Sequence, residues 1–377
     1  MLRIALRMLF GDRTKYLTLV LSLAFATMLI NQQGAIFLGL LDQATGVLQN
    51  VHQADLWVTD PGTRWVAEYR PLADRKLARV RSVPGVEWAE PFYNAWAVVE
   101  LPDGAFRRVQ IIGVPRGTMV GRPPEITLGN IEDLRIPDAV MVEEVSRGLL
   151  GNPDLGDVLK MNDKRAVVVG VCKAKRGFES NAVVYTTFEN ALRFSPGERK
   201  RISYVLVKVR PGEDLARVQR DINALGDVVA LTHAQFRARS IGFIVVETGI
   251  GINFGITIVL GFIVGLLLSG SVLYQFTAEN LKFFAVLKAM GAGAPALVGM
   301  VLAQSLTVGV IGYGIGVGAA GAFAIASSVS QSELAAVLPW ELVAGSLFAT
   351  LITIILASLV SIRRVLRVQP AMIFAGT

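Results

Sequence analysis

The chain has 377 residues, of which 53% are hydrophobic and 18% charged, and its net charge is +7. This composition is too apolar for an ordinary soluble enzyme of this length. The basic excess lies beside apolar runs instead of being gathered on a polar domain, which argues against a nucleic-acid partner. Composition therefore predicts a membrane protein.

Four apolar runs are each long enough to cross a bilayer, which requires about 20 helical residues. They cover residues 16–41, 254–276, 296–326 and 342–362. The first run follows a basic start and could be a cleaved signal peptide, but no convincing small-x-small cleavage site follows it and its apolar character resumes after the triplet Asn31-Gln32-Gln33. We therefore expect an uncleaved anchor, with the triplet's amides satisfied at a helix interface.

Between the first two runs lies a segment of different character, with twelve of the fifteen prolines, four of the five tryptophans and both histidines. Alternating residues 95–101, a Pro-Asp-Gly turn at 102–104 and residues 107–112 predict a β-hairpin. Helical patterns at 74–83 and 214–225 predict a mixed α and β domain, long enough for one or two cores.

Positive charge predicts the orientation. The amino-terminal stretch, the connection at 277–295 and the tail from 363 together hold nine basic residues against Asp12 and Glu279, a difference that equals the whole net charge. Stretches rich in Lys and Arg stay in the cytoplasm, so the connection at 327–338 and the large domain are expected outside.

The predicted fold is a membrane protein with four transmembrane α-helices and one large extracytoplasmic α+β domain inserted between helices 1 and 2. The predicted segments are a cytoplasmic amino terminus 1–15, transmembrane helix 1 with a stalk extension 16–41, the extracytoplasmic domain 42–235, a stalk and transmembrane helix 2 at 236–276, a cytoplasmic connection 277–295, transmembrane helix 3 at 296–326, an external loop 327–338, transmembrane helix 4 at 339–362 and a cytoplasmic tail 363–377.

Catalytic motifs are not visible in the sequence. Cys172 has no second cysteine to pair with, and His52 and His233 are far apart along the chain, outside any metal-ligand spacing. The chain has no G-x-S-x-G elbow and no phosphate-binding G-x-x-x-x-G-K-[ST] loop. We expect no catalytic residues, cofactor or metal, although a Ser-His-acid hydrolase assembled by folding stays open.

Glycines recur at four-residue spacing in the apolar runs, at Gly251 and Gly255, Gly261 and Gly265, and between Gly312 and Gly321. This spacing predicts close packing of neighbouring helices. A mobile, sliding interface is the alternative.

The stretch ENLKFFAVLKAMG at 279–291 predicts a short amphipathic cytoplasmic helix. Phe283, Val286, Leu287 and Met290 have the spacing of one apolar face, while Gly291 is placed as a carboxyl-terminal cap. Pro295 suits the first turn of the next helix. From the pattern alone, such a helix could simply lie on lipid headgroups.

The segment FAVLKAMG at 284–291 resembles a signature of FtsX/MacB-type permeases, the type VII class of ABC transporter subunits. The tail RRVLRVQPA at 363–371 is similar to that family's basic run and Asp-Pro-Ala ending, and the resemblance covers essentially the whole chain. Within the class, ALTHAQF at 230–236 and IPDAV at 136–140 look most like DevC-like permeases. The chain departs from the pattern at Phe283, where the family usually has Glu, and at Gln369, where it has Asp.

The resemblance implies a permease homodimer in a bacterial inner membrane, served by a separate cytoplasmic ABC ATPase, with the large domain in the periplasm. It implies export of a lipid, peptide or drug-like molecule with a periplasmic adaptor (a membrane fusion protein) and an outer-membrane channel. The alternatives are a mechanotransmission permease that activates an extracytoplasmic enzyme without transport, and a ligand-sensing receptor.

The same resemblance implies an ATPase-coupling helix and a stalk. The coupling role falls on Phe283, Phe284, Leu287, Lys288, Met290 and Gly291. Residues 236–253 are expected to be helical and largely outside the membrane, because Arg237, Arg239 and Glu247 would be costly in hydrocarbon.

Overall fold

The computed structural model describes residues 2–68, 70–177, 182–195, 201–329 and 336–367. It divides into two compact units. The first, the membrane unit, comprises Met1–Gly39 and Ile250–Thr377; the second, the domain unit, is Leu40–Gly249. The end of the tail motif, from residue 368, lies outside the described residues.

The secondary structure mixes long helices with short strands. In chain order the helices are α1 Leu2–Gly11, α2 Arg13–Ala44, α3 Gly46–Gln49, α4 Asp74–Arg81, α5 Ser146–Leu149, α6 Phe188–Phe194, α7 Leu215–Asn223, α8 His233–Gly242, α9 Ile250–Glu279, α10 Leu281–Ala289, α11 Ala294–Val329 and α12 Trp340–Leu366. The strands are β1 Leu56–Thr59, β2 Val86–Glu100, β3 Phe106–Val114, β4 Glu125–Gly129, β5 Ala139–Glu143, β6 Val158–Met161, β7 Lys164–Lys173, β8 Ala182–Thr187, β9 Tyr204–Val209 and β10 Val229–Thr232.

Four helices of the described chain, α2, α9, α11 and α12, are long and apolar enough to span a membrane, which confirms the predicted number. In α2 the polar triplet begins with Asn31, whose side chain is fully buried. Its amide donates to the Thr27 carbonyl at 2.8 Å, and its amide oxygen accepts from the Ser346 hydroxyl of α12 at 3.0 Å. The expected interface role of this residue is confirmed.

Glycines bring α11 close to α2. A Cβ atom at Gly316 would lie 2.6 Å from the Ala24 carbonyl oxygen and 2.7 Å from Cβ of Thr27, and one at Gly312 would also meet α2. A Cβ at Gly314 would meet nothing within 4 Å. The predicted close packing is therefore confirmed, and it belongs to one face of the glycine-rich helix.

The domain unit is built on one ten-stranded sheet among its described residues. Its strand order is β10-β1-β9-β2-β3-β8-β5-β7-β4, with β6 paired to β2 and β7. The β3–β8 and β5–β7 pairs are parallel, and the other pairs are antiparallel. The predicted hairpin is confirmed as β2–β3, where the Leu101 N–H donates to the Ala105 carbonyl at 2.8 Å and Gly104 adopts φ of +81°.

The 15-residue strand β2 joins the two halves of the sheet. Its first part pairs with β9 and its second part with β3. Three buried clusters fill the domain, around Trp57, Ile111 and Val205 respectively. In the first, the Trp57 ring lies edge-on to Phe92, with centroids 5.4 Å apart, and to Phe236, 6.0 Å apart.

Phe236, where the sequence placed the start of a stalk, belongs to the domain unit. Helix α8 begins at His233, where Thr232 and Gln235 form a capping box, and Phe236 is fully buried in the domain core. The compact unit extends to Gly249, so the predicted boundary at 235/236 cuts through α8. The predicted helix at 236–253 is confirmed except at Thr248 and Gly249 (φ +74°), where the chain bends before α9.

The contrast between two glycines of α11 gives a stability test. Gly316→Val should destabilise the membrane unit by about 1–3 kcal/mol, because the added methyl groups collide with the α2 backbone. Gly314→Val, on the same helix, should change stability by less than about 0.5 kcal/mol. The midpoint of thermal unfolding in detergent measures both, and equal losses would contradict the packing described.

Candidate functional site

Helix α10 is a nine-residue helix between two membrane-spanning helices, and local sequence fixes its carboxyl-terminal end. At its end the Gly291 N–H donates to the Lys288 carbonyl at 3.1 Å, and the Ala292 N–H to the Leu287 carbonyl at 2.9 Å. Gly291 has φ of +94°, a conformation that side chains with a Cβ disfavour. The predicted helix and its glycine cap are confirmed, and Pro295 lies in the first turn of α11.

One side of α10 is buried against the rest of the membrane unit. Phe284 has no exposed surface and Leu287 is 7% exposed. They belong to a cluster drawn from α1, α11 and α12: Ala5, Leu297, Met300, Val301 and Val365. These two side chains anchor α10 to three other helices.

The other side of α10 carries apolar side chains in the open. Phe283 is 61% exposed and Met290 is 70% exposed, with Val286 at 40%. Leu287 lines the same groove beside α1 as these three residues and lies at the buried edge of their face. The predicted apolar face of Phe283, Val286, Leu287 and Met290 is therefore confirmed, but spacing alone did not show that Phe284, outside this face, packs inward as well.

Lys288 lies on the buried side of the helix, half exposed. Its ammonium group donates to the Leu366 carbonyl at 3.1 Å, at the carboxyl-terminal end of α12. A cation there satisfies a terminal carbonyl and interacts well with the negative end of the helix dipole. Lys282, by contrast, is exposed.

A groove of 710 Å³ runs between α10 and the amino-terminal helix α1. The α1 side contributes Ile4, Arg7 and Met8, and the α10 side includes Phe283 and Met290. At one end Lys15 forms ion pairs with Asp12, at 2.7 Å, and with Glu279. We call this surface the α1–α10 groove.

No packing role was predicted for α1, although the spacing of its apolar residues indicates one. Ala5 and Leu9, one helical turn apart, are both fully buried, while Ile4 and Phe10 are exposed. The Gln304 side chain of α11 also donates to the Ala5 carbonyl at 2.9 Å. The four-residue spacing of Ala5 and Leu9 could have predicted a packed helix.

The two histidines, far apart in sequence, line a common cavity of 780 Å³ in the domain unit. Their separation in the sequence did not indicate this proximity. Burial lowers the pKa of His233, and so do the nearby charges of His52 and Arg237. The lone Cys172 is fully buried, and burial raises the pKa of its thiol.

Comparison with known families agrees with this architecture. A family described as "MacB-like periplasmic core domain" matches residues 17–225, more than half of the chain, and one described as "FtsX-like permease C-terminal" matches residues 254–370. The chain belongs to the FtsX/MacB-type ABC transporter permeases. It is a membrane protein with an extracytoplasmic domain, and the closer resemblance to DevC-like permeases stays a prediction.

Individual relatives are distant. An uncharacterized ABC transporter permease of Mycobacterium tuberculosis is 24% identical over 311 residues, covering 81% of this chain and 80% of its own length. One of Mycobacterium bovis is 25% identical over 314 residues, again covering 81% and 80%.

Solved structures of similar proteins match the domain part of the chain. The extracellular domain of the ABC-type transporter YknZ from Gram-positive bacteria shares 15% identity with a TM-score of 0.35, covering 48% of this chain and 99% of that one. The periplasmic region of MacB from Actinobacillus actinomycetemcomitans shares 12% with a TM-score of 0.38, covering 51% and 94%. These scores are low, and the family assignment does not depend on them.

The adjacent residues Phe283 and Phe284 allow the buried and the exposed surfaces of α10 to be tested separately. Phe284→Ala should destabilise the membrane unit by about 3–5 kcal/mol, because it empties a fully buried site. Phe283→Ala should change stability by less than about 0.5 kcal/mol. Thermal unfolding of the two variants in detergent would contradict the assignment of the faces if Phe283→Ala were the more damaging.

Proposed function

We propose that this chain couples ATP hydrolysis by a separate ATPase subunit to movement of its extracytoplasmic domain. The observation that carries the proposal is the pair of exposed apolar side chains, Phe283 and Met290, on a short helix that Phe284 and Leu287 anchor in the membrane unit. Exposed Phe and Met two turns apart on such a helix are the kind of surface that a partner covers.

The six residues of the proposed coupling helix then divide into three roles. Phe283 and Met290 would enter the ATPase, each contributing about 1.5–3 kcal/mol if fully buried there. Phe284 and Leu287 would hold α10 to its neighbours, so that a push on the exposed side moves α1, α11 and α12 with it. Lys288 and Gly291 would fix the end of the helix.

Charge favours an acidic partner surface. Arg7 and Lys282 are exposed near the groove, while Lys15 is already paired with two carboxylates. Acidic side chains of the ATPase would meet these cations, steering association more than adding affinity. Phe283, which stands where the family usually has Glu, makes the contact here more apolar.

Movement of α10 would reach the large domain along the chain. Helix α2 leads into that domain and α8 with α9 lead out of it. In our proposal the permease works as a homodimer in a bacterial inner membrane with a periplasmic adaptor and an outer-membrane channel, expelling a lipid, peptide or drug-like molecule. This part is supported by the family resemblance.

Replacing exposed apolar residues of α10 with aspartate tests whether this face of the helix binds the ATPase. The double variant Phe283→Asp, Met290→Asp should weaken ATPase association at least about a hundredfold, since two apolar contacts are lost and charges must be desolvated. The measurement is the ATPase activity retained on the tagged chain after mild detergent extraction from native membranes.

The control is Phe106→Asp, which changes an equally open phenylalanine (70% exposed) on β3 of the domain. It should retain the ATPase fully. Full retention by the double variant, with an unchanged unfolding midpoint, would refute docking through this face.

A further inference from the structure

The cavity that contains both histidines is formed by four separate stretches of the domain unit. They are residues 49–54, residues 124–125 at the start of β4, residues 173–175 after β7, and His233 at the start of α8. Its volume, 780 Å³, is that of a small-molecule site. Apolar side chains such as Val51 and Pro124 share the lining with charged and polar ones.

One wall of this cavity is held in place by Asn50, which is 4% exposed. The Asn50 side chain donates to the Lys175 carbonyl and accepts from the Lys175 N–H, both at 2.8 Å. These two bonds fix the strand end that carries Lys173 and Lys175 beside the chain that carries His52. The basic side chains therefore lie on an ordered backbone.

The charges of the lining favour an anion. Lys173 contacts Glu125 at 2.7 Å, and Lys175 contacts Asp42, outside the lining, at 2.8 Å. An ammonium group has three N–H donors, so one contact leaves others for a ligand, whereas Glu125 is the one carboxylate among the described lining residues. The amino-terminal end of α8, where His233 lies, adds a partial positive charge.

We propose that this cavity binds the anionic end of an amphiphilic molecule, a phosphate or carboxylate on an apolar body, between the imidazoles of His52 and His233 and the ammonium groups of Lys173 and Lys175. The apolar lining would contact the body of the molecule. The proposal concerns the domain unit and does not depend on ATPase coupling, so its test needs neither hydrolysis nor transport.

Binding should depend on pH. With its pKa lowered, His233 is neutral at neutral pH, and an anion stabilises the charged imidazolium. Affinity should therefore rise as pH falls through the pKa of His233, and binding should raise that pKa. The charged and titratable groups around His233 are Arg237 on its own helix and His52, Lys173, Lys175, Glu125 and Asp42 from the other stretches.

The chain's two histidines make the test direct, because both line this cavity. Full-length protein with isotope-labelled histidine and a histidine-free tag gives two imidazole signals. Benzoate, which stays an anion throughout this pH range, should shift both signals saturably with one dissociation constant, and that constant should fall as pH falls through the pKa of His233. Phenol, its uncharged counterpart, should shift neither.

A comparison of Lys173 with Lys160 tests whether the lysines of the cavity bind the anion. Lys173 and Lys160 are both 53% exposed and each contacts a glutamate, but Lys160 lies on β6, outside the cavity. Lys173→Gln should weaken benzoate binding about tenfold, and Lys160→Gln should leave it unchanged. Non-saturating shifts, equal shifts with phenol, affinity independent of pH, or equal effects of the two variants would overturn the proposal.

Discussion

The hydrocarbon of the bilayer is the constraint on which this protein depends. A peptide group in lipid must have its hydrogen bonds satisfied within the protein, so the chain crosses only as helices, and charged side chains are kept to the ends of the spans. Basic residues gathered at three of these ends then set the orientation. Everything that requires polar loops and a sheet is confined to the domain unit, between the first and second spans.

The same constraint explains the glycine-rich character of the membrane unit. Helices in lipid gain little from hydrophobic burial against one another, so they associate through close contact and a few polar bonds. Gly316 allows α11 to approach Ala24, and Asn31 bonds to Ser346 across the bundle. In our proposal, this close packing lets the membrane unit respond as a whole when the ATPase pushes on α10.

Helix α10 is the short helix between the second and third spans, and its buried and exposed apolar residues have different roles. Phe284 joins α10 to α1, α11 and α12, while Phe283 faces outward. Removing Phe284 would loosen the unit, and removing Phe283 would leave it intact but without its proposed contact. The α1–α10 groove widens the candidate docking surface beyond the helix that the family resemblance indicated.

The sequence predicted the features that depend on residues close together in the chain. Hydrophobic length gave the four spans, the Pro-Asp-Gly turn gave the β2–β3 hairpin, and Gly291 gave the end of α10. It did not predict which of Phe283 and Phe284 is buried, because neighbouring phenylalanines are equivalent until a neighbouring helix covers one. Nor did it bring His52 to His233, since only the folded sheet joins stretches so far apart.

The most direct test of the account is the accessibility of two single cysteines in a Cys172→Ala background. Asp103→Cys lies in the exposed hairpin turn of the domain, and Lys282→Cys lies exposed on α10. In intact spheroplasts, a membrane-impermeant maleimide should label the first at once and the second only after the membrane is permeabilised. Labelling of Lys282→Cys in sealed spheroplasts, or protection of Asp103→Cys, would contradict the orientation on which the proposed coupling depends.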